Sequence, residues 1–131
     1  MKLDKSWEKA LRSAQAALDK KAYDLVVLQV GALTSVADYF VICTGRSDVQ
    51  VQSICRAIEE SMATVGVKPL AIEGFTHGQW VLLDFGDVVI HVFYETVRQF
   101  YNLEGLWVQA PRCALPEPYS TQARDLRIAT A

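Results

Sequence analysis

Residues 80–93 read Trp-Val-Leu-Leu-Asp-Phe-Gly-Asp-Val-Val-Ile-His-Val-Phe, two apolar runs separated by the pair Gly86-Asp87. A two-residue Gly-Asp connection between apolar runs is typical of a tight β-hairpin turn. Such a turn fixes the pairing of the two strands, with Trp80 opposite Phe93 at the open end of the hairpin. Because side chains on a strand alternate in direction, this register divides them between two faces.

One face of the predicted hairpin is uniformly apolar, which assigns it to the protein core. Its members are Val81, Leu83, Phe85, Val88, Ile90 and Val92. The second face combines aromatic, aliphatic and polar groups. Its members are Trp80, Leu82, Asp84, Val89, His91 and Phe93. On this second face Asp84 and His91 are diagonal neighbours within side-chain reach, and we expect a hydrogen bond between them.

The role of the second face depends on how the sheet is covered. If helices cover both sides of the sheet, Trp80 is an ordinary packing residue. If they cover one side, the aromatic residues form a patch edged by the acids Glu73, Asp84 and Asp87. An exposed aromatic patch is typical of a protein-binding surface, with Trp80 as its candidate hot spot. The acidic edge favours a basic partner.

The rest of the chain alternates between helical and extended patterns. Apolar residues at helical spacing predict a first helix over residues 6–20, and Ser47 with Gln50 forms a capping box that begins a second helix ending near Val65. The other predicted elements are strands at 23–30 and 39–44, an extended segment at 70–73 and a helix at 95–106. This order predicts an α/β (α+β) domain with a mixed sheet of about five strands flanked by helices.

Composition limits the classes of function. The chain has 131 residues, a formal net charge of -2 and scattered basic residues, which disfavours direct nucleic-acid or membrane binding. We expect residues 1–107 to form one domain and the proline-containing residues 108–131 to form an extended or flexible tail. Three cysteines without C-x-x-C spacing predict neither a disulfide nor a zinc site. No signal-peptide or membrane-spanning pattern is found, so the expected location is the cytoplasm.

The turn at residues 45–47 supports a competing hypothesis. It joins a predicted strand to a helix N-terminus, where free backbone amides favour an anion. Polymerase-like nucleotidyltransferases resemble this arrangement, but they also need closely spaced carboxylates to hold metal ions, and no D-x-D motif follows here. A nucleotide-binding enzyme of this kind would use Gly45, Ser47, Asp84 and Asp87. Helix capping is the simpler explanation of Ser47.

Other reactive side chains give weaker signals. His77 and His91 lack a metal-ligand spacing with Asp84 or Asp87. Cys43 has no oxyanion elbow beside it and is predicted to be a buried, inert thiol. These residues therefore predict no catalytic, cofactor or metal site.

The motif series of the chain closely resembles that of the Iojap-like ribosomal silencing factors. The segments that carry the resemblance are Asp38–Ser47, Glu73-Gly74, Trp80–Phe93, Arg98–Glu104 and Trp107. The resemblance implies one α/β domain, similar to the nucleotidyltransferase fold but without its catalytic acids. It also implies a non-enzymatic factor that binds the large ribosomal subunit through the fourteenth large-subunit ribosomal protein and blocks joining of the small subunit. Gln29 departs from the family pattern, which usually has an acid there.

The resemblance and the second face together predict nine partner-binding residues. They are Glu73, Trp80, Leu82, Asp84, Asp87, His91, Phe93, Arg98 and Tyr101. A bound domain would obstruct subunit joining by its volume and repress translation in slow growth without catalysis. A homodimer that uses the same aromatic patch is a further alternative.

Overall fold

The strands of this protein form one mixed sheet with helices packed on it. The computed structural model describes residues 5–123. In that range the strands are β1 (Tyr23–Gln29), β2 (Tyr39–Gly45), β3 (Ala71–Glu73), β4 (Trp80–Asp84) and β5 (Val88–Tyr94). The helices there are α1 (Lys5–Asp19), α2 (Asp48–Ala63), α3 (Glu95–Tyr101), α4 (Leu103–Leu106) and α5 (Tyr119–Gln122). The strand order is β1-β2-β5-β4-β3, with β2 and β5 parallel and the other neighbours antiparallel, which confirms the predicted fold class.

β4 and β5 form the predicted hairpin in the predicted register. Trp80 lies opposite Phe93, and Asp84 lies opposite Val89. At the turn, Gly86 has a φ of +90°, a left-handed conformation that glycine adopts without strain. The Phe85 amide donates a hydrogen bond to the Val88 carbonyl at 2.9 Å across the turn, and Oδ1 of Asp84 accepts another from the Gly86 amide at 2.8 Å.

α1 and α2 cover the first face of the sheet. The six apolar hairpin residues predicted for this face are each 0–5% exposed: Val81, Leu83, Phe85, Val88, Ile90 and Val92. α1 contributes a stripe of small buried residues that includes Ala10, Ala14 and Ala17, so its backbone lies close to the sheet. α2 contributes the larger Ile54 and Ile58. Removal of this apolar surface from water is the main stabilising contribution to the fold.

The second face of the sheet is covered over one half only. Above β1, β2 and β5, packing residues that include Ala37, Leu103 and Ala110 bury Phe40 and Phe93. Toward β4 and β3 this cover ends. The β4 side chains of this face are half-buried, and all three residues of β3 are exposed. Coverage of the second face therefore changes along the sheet, which neither of the two sequence-based alternatives described.

The helix predicted at residues 95–106 is divided into α3 and α4. Asn102 separates them in a left-handed conformation with a φ of 46°, which asparagine tolerates better than most residues. Its amide donates a hydrogen bond to the carbonyl of Arg98 at 2.9 Å and ends α3. The break also brings Glu104 within 2.9 Å of the Arg98 guanidinium. In a continuous helix, side chains meet when they are three or four positions apart in sequence, and these two are six positions apart.

The C-terminal segment lies against the outer edge of β1. The Cys113 amide donates a hydrogen bond to the Val27 carbonyl at 2.8 Å, and the short helix α5 follows. Contacts of this kind use backbone groups that an open sheet edge leaves free. Part of the predicted tail is thus packed on the domain, including Cys113, Leu115, Tyr119 and Ala123. Residues 124–131 lie outside the described residues. The domain boundary at residue 107 stays a prediction.

Candidate functional site

Five of the nine predicted partner-binding residues lie at the open half of the second face. They are Glu73, Trp80, Leu82, Asp84 and Tyr101. The β3–β4 register places Glu73 opposite Leu82, so this acid shares a face with the aromatic residues. Glu73 is exposed, and Leu82 and Asp84 are half-buried. These five residues and Phe100 are called the candidate docking surface below.

Trp80 is half-buried and is held by contacts on three sides. Its ring stacks on Phe93, with 4.9 Å between the ring centroids, and contacts Tyr101 at 4.8 Å. Its indole Nε1 donates a hydrogen bond to Nδ1 of His91 at 3.2 Å. Aromatic pairs at these distances add stability beyond the area they bury. Trp80 is therefore an ordered anchor at the boundary between the core and the surface.

α3 brings two exposed aromatic residues to the candidate docking surface. Phe100 is 79% exposed and Tyr101 is 52% exposed, with their ring centroids 5.1 Å apart. With Trp80 they line a cavity of about 570 Å³, whose other side includes residues of the 74–79 loop. The nine predicted binding residues do not include Phe100, although two consecutive aromatic residues on a helix point in different directions and do not both face the core.

His91 and Phe93 belong to the interior and not to the candidate docking surface, because they are 5% and 0% exposed. The predicted hydrogen bond between Asp84 and His91 is wrong. Asp84 accepts from the turn amide of Gly86, and His91 accepts from Trp80. Burial lowers the pKa of His91 to about 4, so the imidazole is neutral at neutral pH.

The Arg98 side chain also makes its contacts within the protein. Its Nε and Nη2 atoms donate to both carboxylate oxygens of Glu104 at 3.0 and 2.9 Å. Its Nη1 atom donates to Oγ1 of the buried Thr44 at 2.7 Å and to the carbonyl of Asp24. The hydrogen bonds from Arg98 hold the pKa of Glu104 below its usual value. Arg98 thus connects α3, α4, β1 and β2.

Asp87 is paired with α1. Its Oδ1 atom lies 3.0 Å from Nζ of Lys9, and both side chains are about one-third exposed. The Asp87 carbonyl accepts hydrogen bonds from the amides of Asp38 and Tyr39. Asp87 therefore ties the hairpin turn to neighbouring elements and lies outside the candidate docking surface.

The four residues of the competing enzyme hypothesis lie at opposite ends of the sheet. β2 and β5 are parallel, with Gly45 beside Tyr94 at one end and Tyr39 beside Val88 at the other. Asp87 directly precedes Val88 in the hairpin turn. A strand of seven residues spans about 20 Å. The structure therefore does not bring the 45–47 turn and the hairpin carboxylates into one site.

Backbone amides at the start of α2 already donate hydrogen bonds to side-chain oxygens of the protein. The Gln50 amide donates to Oγ of Ser47 at 3.0 Å, and the Val49 amide donates to Oδ1 of Asp48 at 2.8 Å. Oε1 of Gln50 accepts from the Arg46 amide at 2.6 Å. The predicted capping contact is confirmed, with the return bond from Gln50 directed to residue 46. Asp48 also adds negative charge where an anion would bind.

The described part of the chain offers little for metal or thiol chemistry. Within residues 5–123, no group of three or more His, Cys, Asp and Glu side chains is arranged to hold a metal ion. Burial raises the pKa of Cys43 to about 12, so its thiol is protonated at neutral pH. None of the helices in this range is long and apolar enough to cross a bilayer.

The fold and the candidate docking surface define a small α+β domain with an exposed aromatic site of the type used for protein binding. A family model described as "ribosomal silencing factor during starvation" matches residues 4–130, and the chain belongs to this family. The predicted family is thereby confirmed.

Individual relatives agree with this assignment. The ribosomal silencing factor RsfS of Bacillus subtilis is 48% identical over 99 residues, which cover 76% of this chain and 84% of that protein. The chloroplastic Iojap protein of Zea mays is 39% identical over 110 residues, which cover 82% of this chain and 46% of that protein. A crystal structure from Bacillus halodurans aligns with a TM-score of 0.75 at 38% identity, covering 83% of this chain and 99% of the other. One from Chromobacterium violaceum aligns with a TM-score of 0.74 at 32% identity, covering 92% and 99%.

Proposed function

We propose that the protein binds the large ribosomal subunit in the cytoplasm and prevents its joining to the small subunit, so that translation falls when growth slows or nutrients are short. Family membership supports a ribosomal partner, because the matching family model is described as a silencing factor during starvation. The observation that carries the proposal is the candidate docking surface, where exposed aromatic residues stand beside acids.

The proposed partner on the subunit is its fourteenth ribosomal protein. Trp80 and Tyr101 supply aromatic area of the kind that dominates binding hot spots. Glu73 and Asp84 add negative charge beside them. Ribosomal proteins are typically basic, so opposite charges favour association and a specific orientation. Binding is expected to weaken as salt rises, because salt screens exposed charges.

The other four predicted binding residues have supporting roles in this proposal. Phe93 lies against the ring of Trp80, and His91 accepts its indole N–H. Arg98 connects α3 to the sheet, and Asp87 connects the hairpin turn to α1. Each residue stabilises the framework that holds the candidate docking surface.

Obstruction by a bound domain requires no catalysis. A folded chain of this length has a radius of gyration of about 14 Å. A typical protein interface takes about 800 Å² from each partner, roughly a tenth of the 7457 Å² accessible surface of this chain. The remainder of the bound domain then occupies volume between the two subunits, where close apposition leaves no room for it.

Sedimentation with purified bacterial ribosomal subunits tests the proposal. We expect the protein to co-sediment with large subunits and not with small subunits, and to reduce the formation of whole ribosomes as its occupancy rises. Absence of co-sedimentation, or normal subunit joining at full occupancy, contradicts the proposal.

A matched pair of charge reversals tests the location of the site. Glu73→Lys is expected to weaken binding to large subunits, because it places a positive charge on the candidate docking surface. Glu60→Lys changes the net charge by the same amount on an exposed position of α2. Equal weakening by both variants would show that overall charge, and not this surface, controls binding.

The exposure of Phe100 also favours a second candidate function, a homodimer formed through the same surface. Sedimentation velocity of the free protein over a range of concentrations distinguishes the two. A monomer at every concentration contradicts the homodimer and leaves the ribosomal proposal intact.

A further inference from the structure

The contact between Trp80 and His91 assigns the protons of both rings. The indole Nε1 of Trp80 carries a hydrogen and donates it to Nδ1 of His91 at 3.2 Å. A neutral imidazole that accepts at Nδ1 carries its own proton on Nε2. This Nε2 atom is buried and has no hydrogen-bond partner among the described residues. Because an unpartnered buried donor is unfavourable for folding, stability alone does not explain a histidine at this position.

The surrounding rings fix the plane of the indole but not the direction of its nitrogen edge. Trp80 stacks on Phe93 with 28° between the ring planes and contacts Tyr101 on another side. Phe40 packs edge-on against His91 at 5.1 Å and holds the imidazole in place. Stacking is largely indifferent to which edge of a ring points inward, whereas a hydrogen bond is directional. His91 therefore selects one of the two orientations of the indole.

We propose that His91 is a positioning residue that turns the nitrogen edge of Trp80 inward and leaves its carbon edge for the ribosomal partner. The inference rests on the proposed function and specifies the chemistry of the contact. With its N–H group already bonded inside the protein, Trp80 offers the partner an apolar surface. The matching group on the partner is thus an apolar side chain, and the acids Glu73 and Asp84 accommodate basic residues around it.

The acceptor persists at neutral pH. Burial of His91 lowers its pKa to about 4, so Nδ1 keeps its lone pair under physiological conditions. His91 is 5% exposed, and a partner does not reach it directly without rearrangement. An effect of His91 on binding would therefore be transmitted through Trp80.

A ring-preserving variant separates positioning from simple packing. His91→Phe removes both nitrogens and retains an aromatic ring, so we expect an unfolding midpoint that is unchanged or raised. The same variant is expected to move the Trp80 indole N–H resonance, assigned with Trp80→Phe, and to lower affinity for purified bacterial large subunits about three- to tenfold, the effect of one hydrogen bond. His91→Gln retains an acceptor oxygen and is expected to recover part of the affinity.

The protonation of the His91 ring in the wild-type protein is an independent test of the hydrogen bond from Trp80. A long-range proton–nitrogen NMR spectrum is expected to show His91 with a bare Nδ1 and a protonated Nε2. A proton on Nδ1, an unmoved Trp80 resonance in His91→Phe, or undiminished binding by that variant overturns the inference. If wild-type protein itself fails to bind large subunits, the proposed function fails and the inference falls with it. If wild type binds and His91→Phe binds equally well, only the inference fails.

Discussion

The two faces of the sheet are built from alternate residues of the same strands, yet they differ in how completely they are covered. On the first face, α1 and α2 bury every hairpin side chain, and the chemistry is uniformly apolar. On the second face, burial falls from β5 toward β3 and the chemistry is mixed. The first face therefore provides most of the buried core, whereas the second face combines a smaller core with the partly exposed candidate docking surface.

Two aromatic residues illustrate the change within the second face. Phe93 is 0% exposed under the cover that includes Leu103, and Phe100 is 79% exposed only seven positions later in the chain. Trp80 lies between these extremes and contacts the ring of Phe93. Trp80 is therefore held by the core while part of its side chain stays accessible at the surface.

Adjacent leucines on β4 test the contrast most strongly. Leu83 is fully buried on the first face, and Leu82 is half-buried on the second. We expect Leu83→Ala to reduce the free energy of unfolding by about 4 kcal/mol, because it removes packing and leaves a cavity. Leu82→Ala is expected to cost less than about 1 kcal/mol. Urea denaturation measures both, and equal losses would mean that the second face is as closed as the first.

The pH dependence of stability tests the buried half of the second face. His91 has an ordinary pKa of 6.5 when unfolded and a pKa of about 4 when folded. Between these values the unfolded chain binds a proton that the folded chain does not. The free energy of unfolding should therefore fall by up to about 3 kcal/mol as pH drops from 6.5 to 4. His91→Phe should lack this part of the slope. Identical pH profiles for the two proteins would place His91 in a more solvated site.

Substitution of Arg98 tests how much the contacts that join α3 and α4 to the sheet contribute to stability. Arg98→Lys loses the two-point contact with Glu104 and the bond to Thr44, and we expect a stability loss of about 2 kcal/mol. The folded Arg98→Lys variant should still bind large subunits, because Arg98 does not lie on the candidate docking surface. Thermal unfolding with a parallel binding assay measures both effects. Normal stability with lost binding would instead assign Arg98 to the interface.

The ion pair between Asp87 and Lys9 should give the smallest effect. Both side chains are partly exposed, so Asp87→Asn is expected to cost less than about 1 kcal/mol. Affinity for large subunits should not change. If binding fell while stability held, Asp87 would rejoin the binding residues, as the sequence alone predicts.

The hairpin could be predicted because its determinants are local. The Gly86-Asp87 turn and the period of two together fix the register, and all of the predicted Trp80–Asp84 pairings with β5 are present. The predicted bond between Asp84 and His91 failed because a closer donor, the Gly86 amide, competes for the carboxylate at the strand end. Spacing along the strands shows which side chains lie near each other, but it does not show which of several nearby donors a carboxylate will bond.

Coverage of the second face could not be predicted from spacing. It depends on the break at Asn102, which redirects the chain after α3, and on contacts over long sequence separations such as the packing of Trp107 on Phe40. The exposure of Phe100 follows from this same arrangement. For that reason the nine predicted binding residues include interior ones and omit a surface aromatic.

Affinity of the Trp80→Ala variant for purified large subunits tests the central claim most directly. Val65→Ala is the control, because Val65 is an exposed apolar residue just after α2, beside the groove with α1. We expect Trp80→Ala to remain folded by circular dichroism and to bind at least 30-fold more weakly, a loss of about 2 kcal/mol, with Val65→Ala unchanged. A folded Trp80→Ala protein that binds as tightly as wild type would contradict the assignment of the second face as the docking surface.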